Sequence, residues 1–265
     1  MTLPEPSLPT VPQLAALCGS DVQNMTLRIV AETGSTNADL LAEATQLQGP
    51  TLLWAGVQTA GKGRAGRRWH SAADATLTFS LAWKFALPVQ ALAGLSLAVG
   101  VIVVETLISF GVDAQLKWPN DVLRNGNKLA GILIETAMDK TDRQSIWAII
   151  GVGINLADAR NLSAQIGRTV ADASGLERVR LMAALLDAFS KALPLFEQQG
   201  FKAFAAAWNA LDAYAGQAVN ILDQEKILQH GDAAGVDEAG RLLLDTAQGR
   251  IAISAGDVSL RIREE

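Results

Sequence analysis

The chain has 265 residues, 49% of them hydrophobic and 18% charged, with a net charge of −5. That composition supports a sizeable buried core and excludes global disorder, and its acidic balance argues against a surface built for duplex nucleic acid, which needs a basic face. The single cysteine, Cys18, excludes an intramolecular disulfide or a cysteine-cluster metal site, and the two histidines, His70 and His230, read as surface residues.

Residues 1–24 carry prolines at positions 4, 6, 9 and 12 and no basic segment ahead of an apolar run. They read as a tail or short docking segment without a secretory signal, which puts the protein in the cytoplasm. Residues 26–31 (TLRIVA) predict a first strand. The following Ser35-Thr36-Asn37 opens a helical pattern carried by Leu40, Leu41, Ala44 and Leu47, with Thr36 and Asp39 spaced as an N-cap signal. Residues 51–57 and 76–83 predict two more strands around a glycine- and arginine-rich loop. No residue between Lys84 and Glu105 is charged, a length that can span a bilayer. Pro88, Gln90, Gly94, Ser96 and Gly100 interrupt it, so residues 91–110 are expected to form a buried helix of a soluble domain. Strands are expected at 114–118 and 132–135 about a polar turn at 124–127, and at 146–150, running into Gly151-Val152-Gly153. A long helical stretch is expected over 176–210. Beyond residue 215 five short alternating runs (AVNIL, KILQH, RLLLDT, RIAISA, VSLRI), punctuated by glycines, predict a small β-barrel.

The segment GKGRAGRRWHS, residues 61–71, literally matches the dinucleotide fingerprint G-x-G-x-x-G. That match fails, because no helix opens on the third glycine and a strand follows instead. Lys62, Arg64, Arg67 and Arg68 put four positive charges in seven residues among glycines that let the backbone close on an anion. A solvated basic hairpin fits the spacing equally well. Lys128, ahead of an apolar strand, is either a point charge for phosphates or a strand-edge lysine. Asn155, after Gly151 and Gly153, is either a base-reading amide or a turn former. Ser35, Thr36 and Asn37 either line a polar pocket or only start a helix. Gln58 either donates to a small polar ligand or satisfies loop backbone.

Together, ETGSTNADLL, VQTAGKGRAGRRW, LKWPNDVL, KLAGILIE and GVGINL occur in the order and spacing of bacterial biotin protein ligases, and the sequence resembles that family from about Leu27 to its C-terminus. The resemblance implies an α/β fold with a mixed sheet and packed helices, akin to class II aminoacyl-tRNA synthetases, at residues 25–215. An SH3-like barrel would follow at 216–265, behind a tail at 1–24. It implies that Ser35, Thr36, Asn37 and Gln58 meet the biotin ureido ring, and that Gly61, Lys62, Gly63 and Arg64 close over biotin and its adenylate. Lys62 stands where the family usually has arginine, which matters if that position works through a bidentate fork. Trp69 would lie near the nucleotide, with Gly131, Gly151 and Gly153 lining the site and Asn155 reading adenine. Lys128 would touch the biotin carboxylate and α-phosphate, and Asp121 would face the acceptor lysine, making Lys128, Arg64 and Asp121 the catalytic set.

The implied reaction takes ATP, biotin and Mg²⁺ to biotinyl-AMP, then to a biotinylated lysine of a biotin carboxyl carrier protein such as that of acetyl-CoA carboxylase. A lipoate or octanoate ligase or transferase of the same fold is the alternative, disfavoured by the polar set around Gln58. Some family members are DNA-binding repressors with an N-terminal helix-turn-helix, which the proline-punctuated residues ahead of position 25 do not accommodate, so no DNA or membrane partner is expected. A homodimer is left open.

Overall fold

The computed structural model describes residues 8–140, 142, 144–223, 226–256 and 258–263. Its larger sheet has seven strands in the order β1-β2-β3-β7-β6-β5-β4. They are β1 (Thr26–Thr33), β2 (Thr51–Gln58), β3 (Thr76–Phe85), β4 (Gln115–Lys117), β5 (Asp121–Arg124), β6 (Asn127–Met138) and β7 (Ile146–Asn155). β1 and β2 run parallel and every other neighbouring pair is antiparallel. β5, short and inside the motif segment, went unpredicted. It forms a hairpin with β6 through Asn125 and Gly126, both at positive φ (51° and 73°), the geometry that an Asn-Gly turn supplies.

Strand periodicity sorts the two faces. Leu77, Phe79 and Leu81 of β3 and Ala148, Ile150, Val152 and Ile154 of β7 enter the main core, which is closed by α3 (Leu95–Ser109) and α5 (Arg178–Gln199). The alternate residues Ala82, Trp147 and Ile149 meet a smaller cluster under α2 (Thr36–Glu43), with Leu40, Ala44 and Leu53. Continuing along that second face, β3 presents Ser80, Thr78 and Thr76, β7 presents Gly151, Gly153 and Asn155, and β6 presents Glu135, Leu133 and Gly131. Where α2 stops covering the sheet, its face turns from apolar to polar and glycine-rich, and that change makes the site.

Several expectations need adjustment. α2 is capped by Ser35, whose side chain accepts from Ala38 N, while Thr36 is already helical and Asp39 bonds Thr33 instead. The apolar stretch 91–110 is a short 3₁₀ turn (Val89–Leu92), a left-handed Gly94 (φ 80°) and then α3. The segment Val89–Ser109 is long and apolar enough to cross a membrane, yet α3 lies in the core with Ala98, Val99, Val103, Val104 and Leu107 fully buried. The expected helix over 176–210 breaks at Gly200 (φ 64°), so that α5 ends and a shorter α6 (Ala205–Ala210) follows. α4 (Ala159–Ile166), which buries no residue, was not foreseen. Residues 1–7 of the expected tail lie outside the described residues. The rest of that segment forms α1 (Val11–Ala15) and a 3₁₀ turn (Ser20–Asn24), which pack against α5 through buried Leu14 and Val22 and a Gly19 N to Asp187 Oδ1 bond of 2.8 Å.

The C-terminal runs form β8 (Ala218–Asp223), β9 (Lys226–Val236), β10 (Leu242–Thr246), β11 (Gly249–Ile253) and β12 (Val258–Ile262) in the order β11-β10-β9-β8-β12. All five predicted strands exist, but the barrel does not close. β11 and β12 are the two edges and, among the described residues, do not pair, so the unit is an open antiparallel sheet. Its inner residues Val219, Ile221, Val236, Leu242, Leu244 and Leu260 belong to the main core, and Trp118 Nε1 donates to Gly240 O at 3.2 Å across the junction.

Candidate active site

A cleft opens on the polar face of the large sheet, with about 1180 Å³ of free space counting its open mouth. It is lined by Ser35, Thr36, Asn37, Gln58, Lys62, Gly63, Arg64, Trp69, Asp121, Lys128, Gly131, Gly151 and Gly153, so most of the residues singled out in the sequence meet here. Gly61 and Asn155 do not line it. Gly61 borders a second hollow behind the glycine-rich loop, where a Cβ would crowd Trp69 O at 2.6 Å and Gln58 Nε2 at 3.0 Å.

The glycines on β6 and β7 make room for side chains arriving from elsewhere. A Cβ on Gly153 would overlap the Trp69 ring, one on Gly151 would overlap Asn37 Oδ1, and one on Gly131 would sit 3.1 Å from Lys128 Nζ. Gly131 and Gly153 are register partners, so Trp69 lies over a bare patch of sheet two strands wide. Among the described residues, two buried polar atoms on this face lack a hydrogen-bond partner, the Trp69 indole N–H and Asn155 Oδ1. The Asn155 Nδ2 is committed to Ala171 O (3.0 Å) and Lys128 O (3.4 Å), so its oxygen is the atom left over. An unused donor and an unused acceptor on one sheet face are what a heteroaromatic ligand with both kinds of edge atom would satisfy.

One end of the cleft is lined by uncharged polar side chains, with the Glu135 carboxylate behind them. Thr36 N donates to Gln58 Oε1 at 2.7 Å, the hydroxyls of Thr36 and Ser80 lie 2.6 Å apart, Ser80 Oγ donates to Asn37 Oδ1 at 2.6 Å, and Asn37 Nδ2 donates to Glu135 Oε2 at 2.9 Å. Ser80 and Glu135 were not foreseen. Their signal was their place in strand alternation, on the face where β3 and β6 turn polar.

The other end is cationic. Lys128 Nζ is ion-paired with Asp121 Oδ1, both partly exposed. Lys117, Arg168 and Arg261 line the same end, and none of the three was singled out in the sequence. Burial pushes the Lys117 ammonium below the usual lysine range; Asp121 opposes the shift, while Lys128, Arg168 and Arg261 add to it. Lys117 also lies over the Tyr214 ring, 5.5 Å from its centroid. Lys62, Arg64, Arg67 and Arg68 contribute from the loop, which is a small hairpin closed by Gly63 N to Arg67 O (2.7 Å) and Trp69 N to Gly61 O (2.9 Å). Ala65 and Gly66 at its tip have positive φ (52° and 69°). Arg64 leaves the hairpin to bond Asn120 Oδ1 at 2.9 Å and Gly256 O, tying the loop to the C-terminal unit. Among the residues that line this cleft, eight cations face one carboxylate, Asp121, in a chain that is acidic overall. Such a focus of charge fits a polyanion.

The profile of the Biotin/lipoate A/B protein ligase family matches residues 28–155, and that of the Biotin protein ligase C terminal domain matches residues 214–261. The chain is 35% identical over 236 residues to the bifunctional ligase/repressor BirA of Escherichia coli (strain K12), spanning 87% of this chain and 73% of that protein. It is also 35% identical over 245 residues to the biotin–[acetyl-CoA-carboxylase] ligase of Mycobacterium tuberculosis, spanning 88% of each. The solved structure of the biotin protein ligase of Aquifex aeolicus in complex with biotin and ATP superposes with a TM-score of 0.76 at 29% identity, covering 90% of this chain and 99% of that one. With likeness of that extent over both sheets, and the two profiles falling on them in order, the chain belongs to the biotin protein ligases of the Biotin/lipoate A/B protein ligase family.

Proposed function

We infer that the protein activates biotin with ATP to biotinyl-5′-AMP and transfers the biotinyl group to a lysine of a biotin carboxyl carrier protein. The observation that carries this reading is one cleft that holds both the hydroxyl and amide set around Thr36 and Gln58 and a cluster of cations around Lys128 and Lys117. A ureido ring suits the first, a triphosphate the second, and Lys128 stands where a carboxylate and an α-phosphate would meet.

In the first step a carboxylate oxygen of biotin attacks the α-phosphorus, the bond to the bridging oxygen breaks, and pyrophosphate leaves. Two anions must approach, so fixed charge that offsets their repulsion lowers the barrier. Lys128 would supply it at the reacting atoms, and Arg64, Lys117 and Arg168 around the phosphates. Mg²⁺ would enter as the counter-ion of the triphosphate, with Asp121 the carboxylate within this cleft. In the second step the acceptor amine attacks the acyl carbon and AMP leaves. Asp121, drawn toward Lys128 in this structure, would orient the amine and take its proton. Trp69 and Asn155 would take the adenine once the loop that carries Trp69 moves, since the unused N–H and carbonyl oxygen are both buried and Asn155 stands behind the lining of the cleft.

The partner we propose is the carrier protein of acetyl-CoA carboxylase or a similar biotin-dependent enzyme, and the compartment the cytoplasm. The lipoate alternative is not favoured, since the relatives are biotin ligases and the Gln58 end of the cleft is polar. The test is incubation of purified protein with Mg-ATP, a carrier domain and either biotin or lipoate, read as the mass added to the carrier. Biotin-dependent, ATP-dependent addition at one lysine is expected. Modification with lipoate alone would reverse the assignment.

A further inference from the structure

The direction of the buried hydrogen bonds at the polar end can be worked out proton by proton. A carboxylate only accepts, so Asn37 must turn its Nδ2 to Glu135 Oε2 (2.9 Å) and Leu133 O (3.4 Å), which uses both amide hydrogens. Asn37 Oδ1 therefore accepts, and its donor is Ser80 Oγ at 2.6 Å. The Ser80 hydrogen is then spent, so the 2.6 Å contact between the hydroxyls of Ser80 and Thr36 needs the Thr36 hydrogen. At the far end the Thr36 backbone N–H fixes Gln58 Oε1 at 2.7 Å, leaving Gln58 Nε2 with both its hydrogens. The hydroxyl of Thr36 also lies 3.0 Å from Gln58 Oε1, but it has one hydrogen, and the shorter contact has no other source of one.

We propose that Glu135 is a positioning residue for substrate recognition: by accepting from Asn37 it sets the direction of the Asn37–Ser80–Thr36 chain, so that Thr36 offers a ligand lone pairs while Gln58 offers N–H. The inference rests on the biotin reading above and deepens it. A ureido ring has one carbonyl, which needs a donor, and two N–H groups, which need acceptors. A Thr36 that accepts beside a Gln58 that donates is complementary to that ring. If Asn37 flipped, Nδ2 would donate to Ser80 and Ser80 to Thr36; the Thr36 hydrogen would turn to Gln58 Oε1 at 3.0 Å, and Thr36 would be left with one lone pair for the ring N–H groups instead of two. Glu135 is only half-buried, on the sheet face beneath the loop hollow, so it can be replaced without opening the core.

The experiment is calorimetric titration of the full chain with biotin and with a biotin methylated on one ureido nitrogen, alongside melting temperatures. Wild type binds biotin and prefers it to the methylated compound; absence of biotin binding would overturn the ligase reading and this inference with it. Glu135→Met, which keeps size and loses the acceptor, is expected to weaken biotin about tenfold and to lose a similar factor of preference, with little change in melting temperature. Glu135→Gln should stay within about threefold of wild type on both counts, because its carboxamide oxygen can accept from Asn37. Ser80→Ala, which cuts the chain in the middle, should reproduce the loss of preference. An unchanged preference in both Glu135→Met and Ser80→Ala, with biotin binding intact in wild type, would overturn the proposal. So would a loss of affinity equal for the two compounds, which is the signature of packing alone.

Discussion

Lys117 and Lys128 sit at the same end of the cleft with different tasks. Lys128 has its counter-charge in Asp121 and lies against the Gly131 patch where the reacting groups would meet. Lys128→Ala should slow biotinyl-AMP formation by about 10²–10³ while biotin binding changes far less, because the lysine contributes most where negative charge gathers in the transition state. Biotin-dependent pyrophosphate exchange in the purified variant checks this. Lys117 has no ion pair among the described residues; burial, with Lys128, Arg168 and Arg261 nearby, holds its ammonium below the usual lysine range against the opposing pull of Asp121. With the folded pKa below the unfolded value, its contribution to stability is present above the ordinary lysine range and lost as pH falls through the folded pKa. At neutral pH the charged Lys117 is therefore a cost to the free enzyme, one that an incoming triphosphate would relieve. Lys117→Met should raise the melting temperature of the free protein and raise KM for ATP by about tenfold. In wild type, KM for ATP should climb with alkaline pH earlier than an ordinary lysine would allow. A variant with a lower melting temperature and an unchanged KM would contradict both halves.

At the scale of elements, the glycine-rich loop is held by its own hairpin bonds and by Arg64, whose guanidinium reaches both Asn120 and Gly256 O. Closing a loop with Gly61, Gly63 and Gly66 in it costs roughly 1–2 kcal/mol of backbone entropy per residue ordered, and charge-assisted bonds from Arg64 offset part of that. Arg64→Gly should leave adenylate formation partly intact but shorten its retention, so that biotinyl-AMP escapes and acylates exposed lysines. Streptavidin blots of serum albumin incubated with variant, ATP and biotin should show labelling absent with wild type, alongside carrier labelling in both. The elements themselves were largely legible, because apolar period 2 and Asn-Gly or glycine punctuation mark strands directly. α4 was missed because it buries none of its residues, and the break in the long helix turned on the left-handed Gly200, which apolar spacing on either side conceals. The motifs led to Thr36, Gln58 and Lys128, whereas Ser80, Glu135, Arg168 and Arg261 have meaning only once strand register and loop paths bring them to one cleft. The expected barrel stayed open for a related reason. Alternation fixes which residues face inward, but closure depends on pairing β11 with β12, and no local pattern encodes that.

For the whole molecule the distribution of charge matters more than its sum. The chain is acidic overall, yet the large sheet, the glycine-rich loop, the loop after α4 and the C-terminal sheet deliver cations to one cleft, Arg168 from the third and Arg261 from the fourth. Both arginines are exposed, so replacing them removes charge without disturbing the core. Their position beside Lys117 would put them on the β- and γ-phosphates if the α-phosphate meets Lys128. The C-terminal unit would then act in the first half-reaction through Arg261, in addition to closing the core through Leu260. Arg168→Ala with Arg261→Ala should raise KM for ATP by about one to two decades and weaken inhibition by pyrophosphate by a similar factor, as expected for losing two charge-assisted contacts. Added salt should raise KM for ATP in wild type more steeply than in the double variant, since fewer screened contacts remain to be lost. The discriminating measurement is single-turnover transfer from preformed biotinyl-AMP to the carrier domain, a substrate that has no β- or γ-phosphate. Transfer at close to the wild-type rate beside impaired ATP use would place these arginines on the leaving pyrophosphate, whereas equal loss in both half-reactions would mean that they hold the AMP moiety or the carrier instead.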